Sequence, residues 1–174
     1  MHSRLLLVPA SLIAASPVMA DEYLTFDQAR TLLFPGSSFT PVSFSLSDEM
    51  VATLQQTAHV TVLNRNREVR AFYISGGGIL FIDQVPGHDD WITYAVALND
   101  QGVVKGIEIM ECVERFDQIR MASWRAQFAG KKHATFNKDK VTEISGTTLS
   151  STHIADGVAR ILAVYALIMN STAR

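Results

Sequence analysis

The segment WITYAVALNDQGVVKGIEIMEC (Trp91–Cys112) decides the fold, because two apolar runs flank a single turn. Trp91 to Leu98 and Val103 to Cys112 read as strands, and Asn99-Asp100-Gln101-Gly102 supplies turn residues between them. In the second run Ile107 and Ile109 alternate with Glu108 and Met110, the period of a strand with two unlike faces. An antiparallel hairpin follows, and it belongs near the centre of a sheet.

Working upstream, Val69 to Ile74 and Ile79 to Val85 read as two more strands joined across Gly76-Gly77-Gly78, and His59 to Leu63 as a further strand before Asn64-Arg65-Asn66. The glycine triplet lacks the Lys-Ser/Thr ending of a P-loop and the spacing of a dinucleotide fingerprint, so it is read as a turn. Ahead of the strands lie two short helices. Thr25 and Gln28 fit a capping box, and that helix stops before Pro35-Gly36; Ser47 caps the second, with Asp48 and Glu49 in its first turn.

Downstream, Val113 to Phe128 is read as short helices, with Ser123 capping Trp124 to Phe128 and Gly130 ending that helix. Lys131 to Lys140 is a basic, solvated connector. Then comes EISGTTLSST (Glu143–Thr152), which gathers six hydroxyl side chains around Gly146 and runs into an apolar-periodic segment. Ile154, Val158, Ile161, Leu162, Tyr165, Ile168 and Met169 fall at helical spacing, while Asp156 and Arg160 lie off that face. Ser151 or Thr152 is the expected N-cap. First-turn N–H groups have no intrahelical partner and sit at the positive end of the helix dipole, so a hydroxyl-rich turn there suits a phosphate. The same residues also suit plain capping and a turn. The fold class is α+β: an antiparallel sheet flanked by short helices, with a C-terminal amphipathic helix after a phosphate loop.

The chain has 174 residues, 48% of them hydrophobic, and a formal net charge of −2, enough for one domain with an ordinary core and without the basic excess of a nucleic-acid binder. Arg4, the apolar stretch Leu5 to Ser16 and Val18-Met19-Ala20 have the order of a secretory signal peptide, so residues 1–20 are expected to be removed and the mature domain to run over 21–174, with a ligand-binding core at about 59–169. An uncleaved membrane anchor is the alternative. Cys112 is the sole cysteine, which excludes an internal disulfide, and it reads as a buried strand residue. His59, His88, His133 and His153 are scattered without metal-ligand spacing, although His88-Asp89-Asp90 is a compact polar cluster. Glu108, Glu111 and Glu114 are the candidate paired carboxylates; in a regular strand Glu111 faces away from the other two, whereas a chain turning helical after Met110 puts Glu111 and Glu114 on one face. No Gly-x-Ser-x-Gly nucleophile elbow is present.

Ser145-Gly146-Thr147-Thr148-Leu149-Ser150, followed by Asp156-Gly157-Val158, resembles the FMN-binding domain of the flavin-carrying subunits of sodium-pumping NADH:quinone reductases and Rnf-type electron-transport complexes. Tyr94 to Leu98, the Asp100-Gln101-Gly102 turn and Val104 to Ile109 are similar to that domain's strand-turn-strand, and Trp124 to Gly130 to its Trp/Phe/Gly segment. The resemblance implies an exported electron-transfer flavoprotein, a carrier more than an enzyme, with FMN bound through a phosphoester to Thr148 and with Ser145, Gly146, Thr147, Leu149 and Ser150 shaping the loop. A flavin transferase for maturation and a membrane or periplasmic redox partner, at the outer face of the membrane, come with it. Thr147 stands where the family usually has Ala, and Thr142 where Asp commonly precedes the loop. Non-covalent holding of FMN or another phosphate-bearing ligand by the same fold is therefore the alternative.

Overall fold

The computed structural model describes residues 21–22, 24–113 and 118–172. The expected signal peptide at 1–20 lies outside them, as do Glu114 and Phe116. In chain order the elements are β1 (Asp21–Glu22), α1 (Phe26–Leu33), β2 (Phe39–Ser45), α2 (Asp48–Ala58), β3 (Glu68–Ile74), β4 (Ile79–Pro86), β5 (Trp91–Leu98), β6 (Val104–Cys112), α3 (Ala122–Arg125) and α4 (Thr148–Thr172). The strands form one antiparallel sheet in the order β1-β6-β5-β4-β3-β2. This is the α+β class expected. The β5–β6 hairpin is present, but β4 and β5 are the two middle strands, and on its side away from β5 the strand β6 is bordered by the two-residue β1.

Alternation along the strands builds two apolar layers. Phe81, Val85, Ile92, Tyr94, Val96, Leu98, Ile107 and Ile109 face α4, whose Ile154, Val158, Ile161 and Leu162 complete the larger core. Leu80, Ile82, Ala95, Ala97 and Met110 point the other way and are covered by Ala29, Leu33 and Phe34 of α1 and its C-terminal end. Both N-terminal helices begin as expected: Thr25 and Gln28 make the reciprocal capping box, and Ser47 Oγ accepts from the Met50 N–H. Between Thr148 and Met169, α4 is long and apolar enough to cross a bilayer, yet half of that stretch is buried against the protein.

Several expectations are corrected. Residues 59–63 form no strand, because His59 closes α2 in the left-handed region (φ 51°) and the Thr61 backbone is taken up by side chains of α4: its N–H donates to Asp156 (2.9 Å) and its carbonyl accepts from Arg160 (2.6 Å). An edge strand, β2, was not anticipated, since Pro41 interrupts the pattern, and Pro is tolerated only at such an edge. Ser123 lies inside α3, whose N-cap is Met121, and Ala126–Phe128 continues as a 3-10 turn. A register shift between Thr93 and Tyr94 inserts Met110 as an extra residue, which brings Glu108 (opposite Ala95) and Glu111 (opposite Thr93) to the same face. They do not form a dyad: Glu108 is ion-paired with Arg125, and Glu111 accepts from Thr93 Oγ1 at 3.1 Å.

Arg160, off the apolar stripe of α4, is nevertheless only 3% exposed. Its guanidinium bonds Asp83 Oδ2 on β4 at 2.6 Å, and the same carboxylate oxygen accepts from Tyr94 Oη at 2.7 Å, while Asn66 donates to Asp83 Oδ1 at 2.9 Å. Burial alone would lower the Arg160 value, but Asp83, Tyr94 and Asp156 outweigh it and raise it. Removing one partner of such a pair leaves a buried charge uncompensated, so Arg160→Leu is expected to lose about 3–5 kcal/mol of stability in urea denaturation. A loss within the scatter of surface substitutions contradicts the clasp.

Burial and then the Asp83 charge hold the Tyr94 phenol well above the ordinary tyrosine value. A folded value raised above the unfolded one gives stability that is complete below about pH 10 and is lost as pH climbs toward the folded value. The urea midpoint should therefore fall with pH above about pH 10, and less steeply in Tyr94→Phe; equal slopes contradict this assignment.

Candidate functional site

The phosphate-loop candidate lies between a clamped run-in and the first turn of α4. Both backbone groups of Thr142 are held by the segment ahead of it: its N–H donates to Gln127 Oε1 and its carbonyl accepts from Trp124 Nε1, each at 2.8 Å. Trp124 itself packs edge-on against Phe128 in the core. Thus the Trp/Phe/Gly segment is the support on which the loop rests.

A turn follows from Ile144 to Thr147, closed by Thr147 N–H to the Ile144 carbonyl at 3.0 Å. Gly146 occupies its third position at φ 91°, the left-handed region where a side chain is strained. The Thr147 carbonyl then accepts from the Ser151 N–H at 3.0 Å, so α4 begins one turn earlier than the expected cap at Ser151 or Thr152. Burial explains the difference: Thr147, Ser150 and Ser151 are all packed inward, and hydroxyl residues that would cap in solution are held in the helix. His153 Nδ1 lies 2.7 Å from the Pro86 carbonyl, which ties this start to the end of β4.

The six hydroxyls are thereby sorted. Ser145, Thr148 and Thr152 are exposed, whereas Thr147, Ser150 and Ser151 are buried. Ser151 Oγ donates to the Thr148 carbonyl at 2.9 Å, and Thr148 Oγ1 makes only a long bond, 3.3 Å, to the Ile144 carbonyl. Thr147 Oγ1 and Ser150 Oγ are buried without a hydrogen-bond partner among the described residues. Leu149 is exposed, its side chain turned out of the core. Thr148, Leu149 and Ser150 also carry the first-turn N–H groups for which a helix has no carbonyl. An exposed hydroxyl at the first helical residue, two orphaned buried hydroxyls and the positive end of a 25-residue helix form a site whose chemistry fits a phosphate monoester.

Beside this start is a cleft of about 320 Å³ bounded by Thr61, Lys138, Glu143, Thr152, His153 and Asp156. Its volume lies at the lower end of ordinary ligand pockets. Lys138, read as one of a solvated run, instead crosses it to pair with Asp156 and to donate to the His59 carbonyl. That clasp holds the basic connector against α4. Among the described residues no His, Cys, Asp and Glu group could hold a metal ion. His88 Nδ1 lies 2.8 Å from Asp89, within the turn that precedes β5.

The structural partners Asp83, Tyr94, Lys138 and Arg160 were not legible as site supports. One signal existed, an arginine four residues after Asp156 inside an apolar-periodic helix. Gly157, by contrast, was visible in the Asp156-Gly157-Val158 stretch, and its reason is now plain: a Cβ there would stand 2.1 Å from Tyr94 Oη and 2.9 Å from Val85 Cγ1.

Residues 87–163 match the family model of the FMN-binding domain. The match runs from the turn before β5 through β6 and α3 into α4, and so includes the whole loop. No curated protein and no solved structure matches the chain. The resemblance drawn from the hairpin and loop residues is thus borne out at the level of the FMN-binding domain, and flavin is the phosphate-bearing ligand that the match supports.

Because Gly157 is where α4 touches β5, Gly157→Ala should displace the helix start along with Tyr94. The expected result is a thermal midpoint lowered by several degrees together with weaker FMN uptake. Wild-type values for both would contradict that close approach.

Proposed function

We propose that this protein is an exported electron-transfer flavoprotein that carries FMN by a phosphoester to Thr148 Oγ1. It passes electrons between redox partners at the outer face of the membrane. The observation that carries the reading is the FMN-binding-domain match spanning a helix start where Thr148 Oγ1 is exposed and only weakly engaged. When bound, the flavin supplies the electron-accepting and electron-donating chemistry; the chain supplies binding, orientation and electrostatics. Gly146 shapes the turn, the first-turn N–H groups of Thr148, Leu149 and Ser150 would hold the phosphoryl group, and the bonds from Trp124 and Gln127 fix the run-in at Thr142.

Attachment needs an activated donor, since displacing hydroxide from FMN itself is unfavourable. A flavin dinucleotide provides one: the Thr148 Oγ1–phosphorus bond forms, the pyrophosphate P–O bond breaks, a nucleoside monophosphate leaves, and the hydroxyl proton passes to a base of the flavin transferase. A tether also suits an exported protein, from which a dissociated cofactor would be lost by dilution. The second reading, non-covalent holding of FMN, is kept by Thr142 and Thr147, which differ from the residues the resembled family usually has there.

Co-expression of the full chain with a flavin transferase, followed by denaturation, separates the two readings. Flavin fluorescence should stay with the wild-type polypeptide and vanish from Thr148→Ala. Flavin released from the denatured wild type overturns the covalent claim, and a modified Thr148→Ala chain places the bond on another hydroxyl.

A further inference from the structure

The C-terminal half of α4 runs to the end of the sheet marked by the turns at Gly76–Gly78 and Asn99–Gly102, the end away from the loop. Tyr165 fixes it there: its Oη donates to the Asp100 carbonyl at 3.1 Å, and its ring lies so close to Gly102 that a Cβ there would overlap it. Burial along the helix falls off at this point. Ile161 to Val164 are buried, Tyr165 to Ile168 only half so, and Met169 is 46% exposed, while residues 161–172 carry no charge at all. Tyr73 on β3 is 48% exposed at the same end. Burial, then the Asp100 charge and the Tyr73 phenol, hold the Tyr165 phenol above its ordinary value, which puts Tyr73 within electrostatic reach of it.

Cations border this uncharged tip. The Val104 N–H, two residues past Gly102, donates to the Lys131 carbonyl at 2.8 Å, and His133 lines a small cavity with Ala159 and Leu162 of α4. Lys131 and Lys132 are exposed, and neither makes an ion pair among the described residues. Elsewhere Arg30, Arg67, Arg125, Lys138 and Arg160 are each paired with a carboxylate. In a chain of net charge −2, uncommitted lysines beside an uncharged helix end are therefore a local feature, opposed there by Asp100. Lysine heads above an apolar surface, with tyrosine between, have the chemistry of a lipid interface.

We propose that this end of the molecule, built from the last turns of α4, Tyr73 and Lys131–Lys132, docks on a bilayer containing anionic phospholipid. Met169 enters the headgroup boundary, and the two ammonium groups meet lipid phosphates. The helix does not span, because half of its apolar stretch is already buried against the protein. Thr148 lies at the other end of α4, about 30 Å along the axis, so the inference does not depend on the flavin.

The test is co-sedimentation of the mature chain, residues 21–174, with vesicles of phosphatidylcholine alone or mixed with phosphatidylglycerol; omitting Leu5 to Ser16 keeps that apolar run from binding lipid itself. The protein should pellet with the mixed vesicles, and less so as salt rises. Lys131→Gln and Lys132→Gln should each weaken binding about fivefold, and Met169→Glu should abolish it. Arg65→Gln, which removes an exposed cation beside Gln84 and Trp91 at the opposite end of the sheet, should leave it unchanged. All four side chains are exposed, so the variants should melt like wild type, which separates lost binding from lost fold.

No pelleting with the mixed vesicles overturns the proposal, and equal pelleting with neutral ones overturns the anionic assignment. Binding that survives the Lys131, Lys132 and Met169 substitutions puts the lipid contact elsewhere and overturns this face. If wild type is a dimer in gel filtration, Met169→Glu a monomer and neither binds vesicles, the tip joins two copies of the chain and the bilayer assignment fails.

Discussion

The buried contact between Arg160 on α4 and Asp83 on β4 is the constraint on which the arrangement depends. A guanidinium and a carboxylate taken out of water cost several kcal/mol each unless paired and hydrogen-bonded, so the position of α4 over the sheet has little freedom. Tyr94 and Asn66 complete the carboxylate's bonds, and the Thr61 carbonyl occupies a second guanidinium nitrogen. One turn before Arg160 on α4, Asp156 repeats the pattern at lower burial, taking the Thr61 N–H and the Lys138 ammonium. Four chain segments therefore meet on one helix.

That fixed helix is what gives the loop its meaning. With the axis set by Arg160 and the close Gly157–Tyr94 contact, the start of α4 is placed at the end of the sheet, where His153 reaches Pro86. The run-in is held independently through Thr142 by Trp124 and Gln127. A hydroxyl-rich turn held from both sides can leave its polar groups uncommitted in a way that a free loop could not. The orphaned Thr147 and Ser150 hydroxyls and the exposed Thr148 are the result. Backbone N–H groups fixed in a first helical turn need no reorganisation when an anion binds, which is the advantage of building such a site on a helix end.

Much of this was legible from residue order alone, for identifiable reasons. Strands β3 and β6 alternate along much of their length, β4 and β5 are apolar runs, all are bounded by glycine or Asn/Asp turns, and α1 and α2 carry side-chain caps, so local chemistry and fold agree. The residues 59–63 looked like a strand because Val60, Val62 and Leu63 are apolar; what overrode them was a set of side chains about a hundred positions away, which no local pattern can announce. The burial of Arg160 was not legible for the same reason, since its partner is on another element. The N-cap of α4 was set a turn late because Ser151 and Thr152 are good caps in isolation, whereas the burial of Thr147, Ser150 and Ser151 carries the helix back to Thr148. Thr148 was singled out by resemblance rather than by pattern, and the structure adds the physical distinction among the six hydroxyls, between those turned outward and those enclosed.

The claim that most needs testing is that the cofactor is joined to the first turn of α4. Trypsin cleavage after Lys140 and Arg160 releases Val141–Arg160, which contains the whole loop and no internal Lys or Arg. After co-expression with a flavin transferase, denaturation and digestion, this peptide should carry the flavin absorbance and the phosphodiester, and its fragmentation should place the added mass on Thr148. Flavin recovered on any other peptide, or only in the dialysate of the denatured protein, would contradict the account.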